Sequence, residues 1–264
     1  MSKATSLSLL LGIALLALSC ALVAAETNPN EYYSFRVNSG LPGMMFAVTP
    51  EGQLDFSGAL QQNVPVAYTP YWGNFIVNAD AGSNDSGLPS SLTGSEVNGT
   101  AFLGVGFLGS GHGLYVDTEA TSDKGEGATS FQYQLVAAGE RTPAVALGVM
   151  DVFNERDRYV RHPSHDARSF YATATTRLLQ MDWRPVYLTA GWGNGRFRRG
   201  FGGFSVPLND NFKVVAEYDG FGPNAGVAWS LNGAYNEKSS FDVIGYVGYT
   251  DLKRPALGLS VTFK

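Results

Sequence analysis

The chain of 264 residues carries a formal charge of −5, with 16% charged residues, 12% aromatic residues and 32 glycines, a composition that excludes an acid- or base-rich disordered segment. Its only Lys/Arg pairs are Arg198-Arg199 and Lys253-Arg254, too little positive charge to bind a polyphosphate, which sets nucleic acid aside. The single cysteine, Cys20, lies in an apolar N-terminal stretch, so beyond that stretch there is no disulfide, thiolate nucleophile or cysteine-ligated metal.

Residues 1–25 read as an export signal. Lys3 precedes an apolar run from Leu7 to Val23, and Val23-Ala24-Ala25 before Glu26 suits signal peptidase, placing cleavage after Ala25. Acylation at Cys20 competes, although Ala17-Leu18-Ser19 lacks the leucine usual three residues before a lipidated cysteine. An uncleaved anchor is a third reading, since about 20 apolar residues can cross a bilayer. The remainder, 26–264, is read as one domain, with 26–52 as the N-terminal segment that enters it. Within that segment Gly40-Leu41-Pro42-Gly43 fixes a turn before the first strand, in preference to a plug or partner contact.

From there the chain alternates. Strands are expected at about 53–60, 100–107, 112–118, 130–135, 142–150, 168–178, 185–193, 200–206, 211–219, 224–232, 240–249 and 256–263, with an extra one possible at 75–79. In 256–263, Leu257, Leu259, Val261 and Phe263 oppose Ala256, Gly258, Ser260 and Thr262. In 130–135, Phe131, Tyr133 and Leu135 oppose Ser130, Gln132 and Gln134, and 224–232 splits the same way. Gly, Asn, Asp and Pro at 139–141, 209–211, 220–223 and 250–255 suit tight connections between consecutive hairpins.

The fold class is therefore all-β: an antiparallel outer-membrane β-barrel of about 12 strands, with 10 or 14 as alternatives. Three features favour it over a soluble barrel or sandwich. The polar strand faces are built of small and amide side chains, as a lumen permits. Aromatics near strand ends, at Tyr32-Tyr33, Tyr68, Tyr71-Trp72, Trp183, Trp192, Phe197, Phe201, Tyr246 and Tyr249, suit interfacial girdles. The last strand, Gly258 to Phe263, resembles the terminal assembly signal of bacterial outer-membrane barrels, with Leu257 at its usual polar position and Lys264 trailing. Lipid and the barrel-assembly machinery are the implied partners, and the bacterial outer membrane is the implied location. Both termini would face the periplasm, with 119–128 and 151–167 outside.

Chemistry-bearing residues are sparse. Lys213, Glu217 and Asp219 share one face of strand 211–219, and a lumenal polar cluster of these with Arg177 and Arg196 is favoured over paired-acid glycoside chemistry. Arg161-His162-Pro163-Ser164-His165-Asp166 contains the residue types of a hydrolase triad, but neighbours on an extended loop point apart, and the two histidines lack a scaffold for a metal. Gly191 to Gly195 has no following helix and reads as close packing rather than a phosphate loop. No catalytic, cofactor or metal residue is assigned.

Residues 39–54 (Ser39-Gly40-Leu41-Pro42-Gly43-Met44 through Pro50-Glu51-Gly52-Gln53-Leu54), Gly191-Trp192-Gly193-Asn194-Gly195-Arg196-Phe197 and Glu217-Tyr218-Asp219-Gly220-Phe221-Gly222-Pro223-Asn224-Ala225-Gly226 resemble, in order, three motifs of YjbH-like proteins. Pro50 and Glu51 depart from that pattern. These are outer-membrane proteins associated with exopolysaccharide production, and the chain looks like a short, single-barrel relative. The resemblance implies a non-enzymatic accessory of exopolysaccharide export or envelope structure, with the polymer or its secretion proteins as partners. A small-solute porin and an outer-membrane hydrolase are the alternatives.

Overall fold

The structure, a computed structural model, describes residues 40–83, 97–108, 112–121, 126–140, 142–154, 168–181, 184–235 and 239–264. Residues 1–25, read above as an export signal, Tyr32-Tyr33, Trp183 and the histidine-bearing stretch 161–166 lie outside them. The described chain forms β1 (Phe75–Ser83), β2 (Val97–Phe107), β3 (Leu114–Thr121), β4 (Glu126–Val136), β5 (Ala144–Met150), β6 (Ser169–Met181), β7 (Arg184–Gly193), β8 (Phe201–Pro207), β9 (Phe212–Tyr218), β10 (Pro223–Ser230), β11 (Phe241–Thr250) and β12 (Arg254–Phe263). Each strand pairs antiparallel with its neighbours in sequence, and β1 pairs with β12 from Phe75↔Phe263 to Gly82↔Ala256, so the sheet closes into a barrel. Closure leaves no unpaired strand edge. The rings of Phe75 and Phe263 stack at the seam, 4.3 Å apart.

The expected alternation holds and fixes which face is which. On β12 Leu257 and Leu259 are half exposed while Ser260 and Thr262 are buried; on β4 Tyr133 and Leu135 point out while Ser130, Gln132 and Gln134 point in. Phe170, Leu147, Trp229 and Val247 also face outward. An apolar outside around a polar inside is the reverse of a water-soluble domain, and hydrocarbon is the solvent that suits it. This is a membrane-spanning barrel.

The count of twelve stands, but its membership changes. Residues 53–60 form no strand. Their alternation breaks down because both sets are largely buried, and they carry turns and the isolated bridge Val48↔Ala59. The first strand is instead β1, at the stretch read as a possible extra. The span 119–128 is mostly ladder rather than loop, since β3 and β4 stay paired out to Thr121↔Glu126. The girdle also splits: Trp72, Trp192 and Tyr249 are exposed, whereas Tyr68, Phe197, Phe201 and Tyr246 are buried inside.

The ladders place the strand ends Ser83, Val97, Met150 and Ser169, with the turns 194–200 and 219–222, at the mouth opposite Phe263. That end is called the far mouth below, and the end bearing Phe263 the C-terminal mouth.

Candidate functional site

The lumen is filled by the chain's own residues 40–71, nearly all of them buried. Leu41 and Met44 lie toward the far mouth with Val64, Tyr171, Phe197 and Phe201. The segment then descends past β12, where the Ser260 hydroxyl donates to the Met45 carbonyl at 2.9 Å. It turns at 49–53, with Thr49 N–H donating to the Gln53 carbonyl at 2.9 Å. It climbs past β8 and β9 to Gln62 and Asn63, then returns along β6 and β4 to Tyr71 and β1. Gly43 makes the first turn possible: its φ is +84°, and a Cβ there would stand 2.5 Å from Val66.

Such an irregular segment cannot satisfy its own backbone, and a buried amide or carbonyl left unpaired is costly. A few internal bonds help, such as Val66 N–H to the Pro42 carbonyl at 2.8 Å. The wall supplies many of the others. The Thr173 hydroxyl donates to the Pro65 carbonyl at 2.9 Å, and the Gln132 amide to the Val66 carbonyl at 2.9 Å. Ala67 N–H donates to Thr175 Oγ1 at 2.8 Å, Thr69 N–H to Gln134 Oε1 at 3.1 Å, and the Tyr115 hydroxyl to the Gly40 carbonyl at 2.8 Å. Gln62 accepts from the Tyr246 hydroxyl and donates to Thr250 Oγ1, both at 2.7 Å. These contacts come from strands right around the circumference, so the segment is a plug fitted to this barrel. Phe46, Phe56, Leu60 and Tyr68 of the plug pack with Phe102, Tyr115 and Tyr187 of the wall as one apolar cluster.

Of the five residues read as a lumenal polar cluster, Lys213, Glu217, Asp219 and Arg196 are buried inside, and Arg177 is exposed. They act mostly on the plug. Both Glu217 oxygens are taken: Gln62 N–H donates at 2.8 Å, Asn63 N–H at 2.7 Å and the Asn224 amide at 2.9 Å. Arg196, in a 3-10 turn at Gly195–Phe197, donates to the Asn63 carbonyl at 2.7 Å. Lys213 donates to the Gly58 carbonyl and lies 5.0 Å from the centre of the Phe56 ring. No ion pair joins Lys213 to Glu217, because four residues of strand separate them by about 13 Å. Asp219 lies past the end of β9 and accepts the N–H groups of Phe221 and Gly222 at 3.0 and 3.1 Å, which shapes the β9–β10 turn.

The three motif segments meet at the far end. Leu41 and Met44 pack with Phe197, and Phe221 joins the same cluster. Gly220 has φ +92°, and its Cβ position is 3.2 Å from the Gly200 carbonyl, so the β7–β8 and β9–β10 loops touch. Gly191 gives the room expected of it: a Cβ there would stand 2.1 Å from the Phe201 ring.

At the C-terminal mouth a cavity of about 320 Å³ opens between the 49–53 turn, β6, β7 and the β10–β11 loop, with Arg177 on its lining. Asp55 closes one side of it, accepting Tyr235 N–H at 3.0 Å and Ser57 N–H at 2.8 Å, with Lys264 at 3.5 Å. Burial pushes the Asp55 carboxyl up, but the Ser57 and Tyr235 hydrogen bonds and the Lys264 charge outweigh it and hold it below the ordinary carboxylate value. Among the described residues no group of three or more His, Cys, Asp or Glu is placed to hold a metal.

No family model matches the chain, and no curated protein matches it. Among solved structures it is similar to "KdgM porin" at TM-score 0.47 and 11% identity, covering 72% of this chain and 98% of that one. A structure described as "KdgM porin in complex with disordered oligogalacturonate" aligns at TM-score 0.46 and 10% identity over the same shares. The Salmonella typhi outer membrane phospholipase (OMPLA) dimer with bound calcium aligns at TM-score 0.37 and 11% identity, covering 72% of this chain and 90% of that one. A closed antiparallel barrel with an apolar outer surface and a polar inner one is the spanning architecture of the bacterial outer membrane. That is where this protein resides.

Proposed function

We propose that the protein is a plugged, non-enzymatic outer-membrane barrel that serves exopolysaccharide production or export as an accessory or structural component. The observation that carries the non-conducting part is the occupied lumen: residues 40–71 are bonded to β3, β4, β6, β8, β9, β11 and β12 and fill the space that a pore would leave open. A small-solute porin would require the plug to leave. A hydrolase would require reactive groups facing a substrate, and the Glu217 carboxylate is spent on the plug and on Asn224.

The polysaccharide link rests on the YjbH-like motifs, and their meeting at one seat supports reading them as a set with a shared structural role. Two experiments test the proposal. In planar bilayers the parent protein shows no steady conductance; a stable ohmic channel would overturn the plugged reading. A deletion strain secretes less exopolysaccharide and regains it on complementation; unchanged polymer output would overturn the link.

A further inference from the structure

The cavity at the C-terminal mouth is built from features that the plug's seating does not use. β6 carries a bulge between Arg177 and Leu179, and bulges re-aim side chains at functional edges. Just before that bulge Arg177 still pairs with the inward-facing Tyr187, and its guanidinium lies on the cavity lining with no hydrogen bond or ion pair to another described residue. Opposite it, the 49–53 turn presents the exposed Glu51 and Gln53 side chains, which are likewise unengaged among the described residues.

Tyr235 on the β10–β11 loop has φ +60°, a left-handed conformation that is a genuine outlier for a bulky residue. The Asp55 carboxylate holds it there through the Tyr235 N–H, and its ring stays 47% exposed at the cavity. Behind the lining, the Tyr68 hydroxyl is buried with no hydrogen-bond partner and within electrostatic reach of Arg177 and Glu51. The volume, about 320 Å³, falls at the small end of the about 300–1,000 Å³ of ligand sites.

We propose that this mouth is a saccharide subsite that takes neutral sugar units of a polymer on the periplasmic side, with the Tyr235 ring packing on a sugar face, Glu51 and Gln53 accepting from hydroxyls, and Arg177 donating to them. An aromatic body beside convergent polar groups is the chemistry that recognises a ring with an apolar face and a hydroxyl edge. Neutral sugar is favoured over an acidic one because the charges at the site cancel: Glu51 faces Arg177, and Asp55 is matched by Lys264 at 3.5 Å. The inference rests on the polysaccharide reading above.

The test is titration of the full chain in detergent with maltohexaose, cellohexaose and a hexamer of a uronic acid, followed by saturation-transfer NMR. One neutral hexamer binds, and Arg177→Ala and Glu51→Gln each weaken it about tenfold, while the unboiled gel band of both variants keeps the parent's mobility. Absence of binding by both neutral hexamers, tighter binding of the uronic hexamer, or undiminished binding by both variants overturns the subsite. Polymer output from a deletion strain is scored separately, so sugar binding without a secretion defect removes the export reading, and a defect without binding removes the subsite.

Discussion

Replacing Glu217 with alanine tests whether the far seat holds the plug in place. The carboxylate receives two backbone N–H groups of the plug, at 2.8 and 2.7 Å, and the Asn224 amide at 2.9 Å. Hydrogen bonds to a charged group contribute about 1.5–3 kcal/mol each, and a buried donor stripped of its acceptor costs about 1–3 kcal/mol. Water drawn into the vacated space recovers part of this, leaving the seated plug weaker by roughly 3–4 kcal/mol. At 1.4 kcal/mol per factor of ten, the displaced population rises by about 10²–10³-fold. Planar-bilayer recording of the Glu217→Ala protein should therefore show openings absent from the parent, with faster hydrogen exchange at the Gln62 and Asn63 amides. Glu217→Gln keeps one acceptor oxygen and falls between the two. Open probability and amide exchange both unchanged in the alanine variant would refute the reasoning.

Gly43→Ala forces a side chain onto a φ of +84° and against Val66 at 2.5 Å, which costs about 1–3 kcal/mol; its unboiled gel band should convert to the unfolded mobility at a lower temperature than the parent's. Leu259→Arg puts a charge on the lipid face of β12, where Leu259 is 52% exposed, and destabilises by about 2–4 kcal/mol near the bilayer midplane; folding yield into lipid vesicles reads this out, and parent-like yield would count against a lipid-facing exterior. Asp55 sets a pH dependence. Its carboxyl is held below the ordinary value of 3.8, so its contribution is complete above that value and is lost as pH falls through the lower folded-state value. Thermal melts below pH 4 should show the parent losing stability toward the Asp55→Asn level, with the two curves parallel if Asp55 contributes nothing.

The sequence displayed the wall far better than the filling. Strands such as β4 and β12 declare themselves because each alternate residue meets a different solvent, so Gln132 and Ser260 differ from Tyr133 and Leu259 in chemistry as well as position. Residues 53–60 imitate that pattern through Leu54, Phe56 and Leu60, yet inside the barrel both faces are covered and the period carries no information. A different signal marked the plug: no charged residue occurs from Phe56 to Ala79, which is unusual for a connection running through water and natural for one sealed in a lumen. Glu217, Lys213 and Arg196 were legible as inward and polar, but their partners were not. Their partners on the plug are main-chain atoms of Gln62, Asn63 and Gly58, and a backbone carbonyl or N–H has no signature in sequence. Arg177 has the same inward parity, pairing with the buried Tyr187, but it stands exposed on the lining of the mouth cavity and bonds to no plug atom, which parity alone does not tell.

The far seat explains why three sequence-distant motifs should depend on one another. Asn63 is held at both of its main-chain polar groups, its N–H by Glu217 from β9 and its carbonyl by Arg196 from the β7–β8 turn. β9 and the β7–β8 turn can converge on one residue only if the β7–β8 and β9–β10 connections approach closely, which Gly220 permits by leaving its Cβ position open 3.2 Å from the Gly200 carbonyl. The GLPG turn completes the arrangement, because Pro42 receives the Val66 N–H at 2.8 Å and so ties the segment after Asn63 back to its own start. Loss of any one of these contacts strips a buried polar group of the plug of its partner, and that penalty falls on the seated state alone. A plug built this way is either fully seated or fully released, so conductance from seat variants should appear as discrete openings rather than a graded leak.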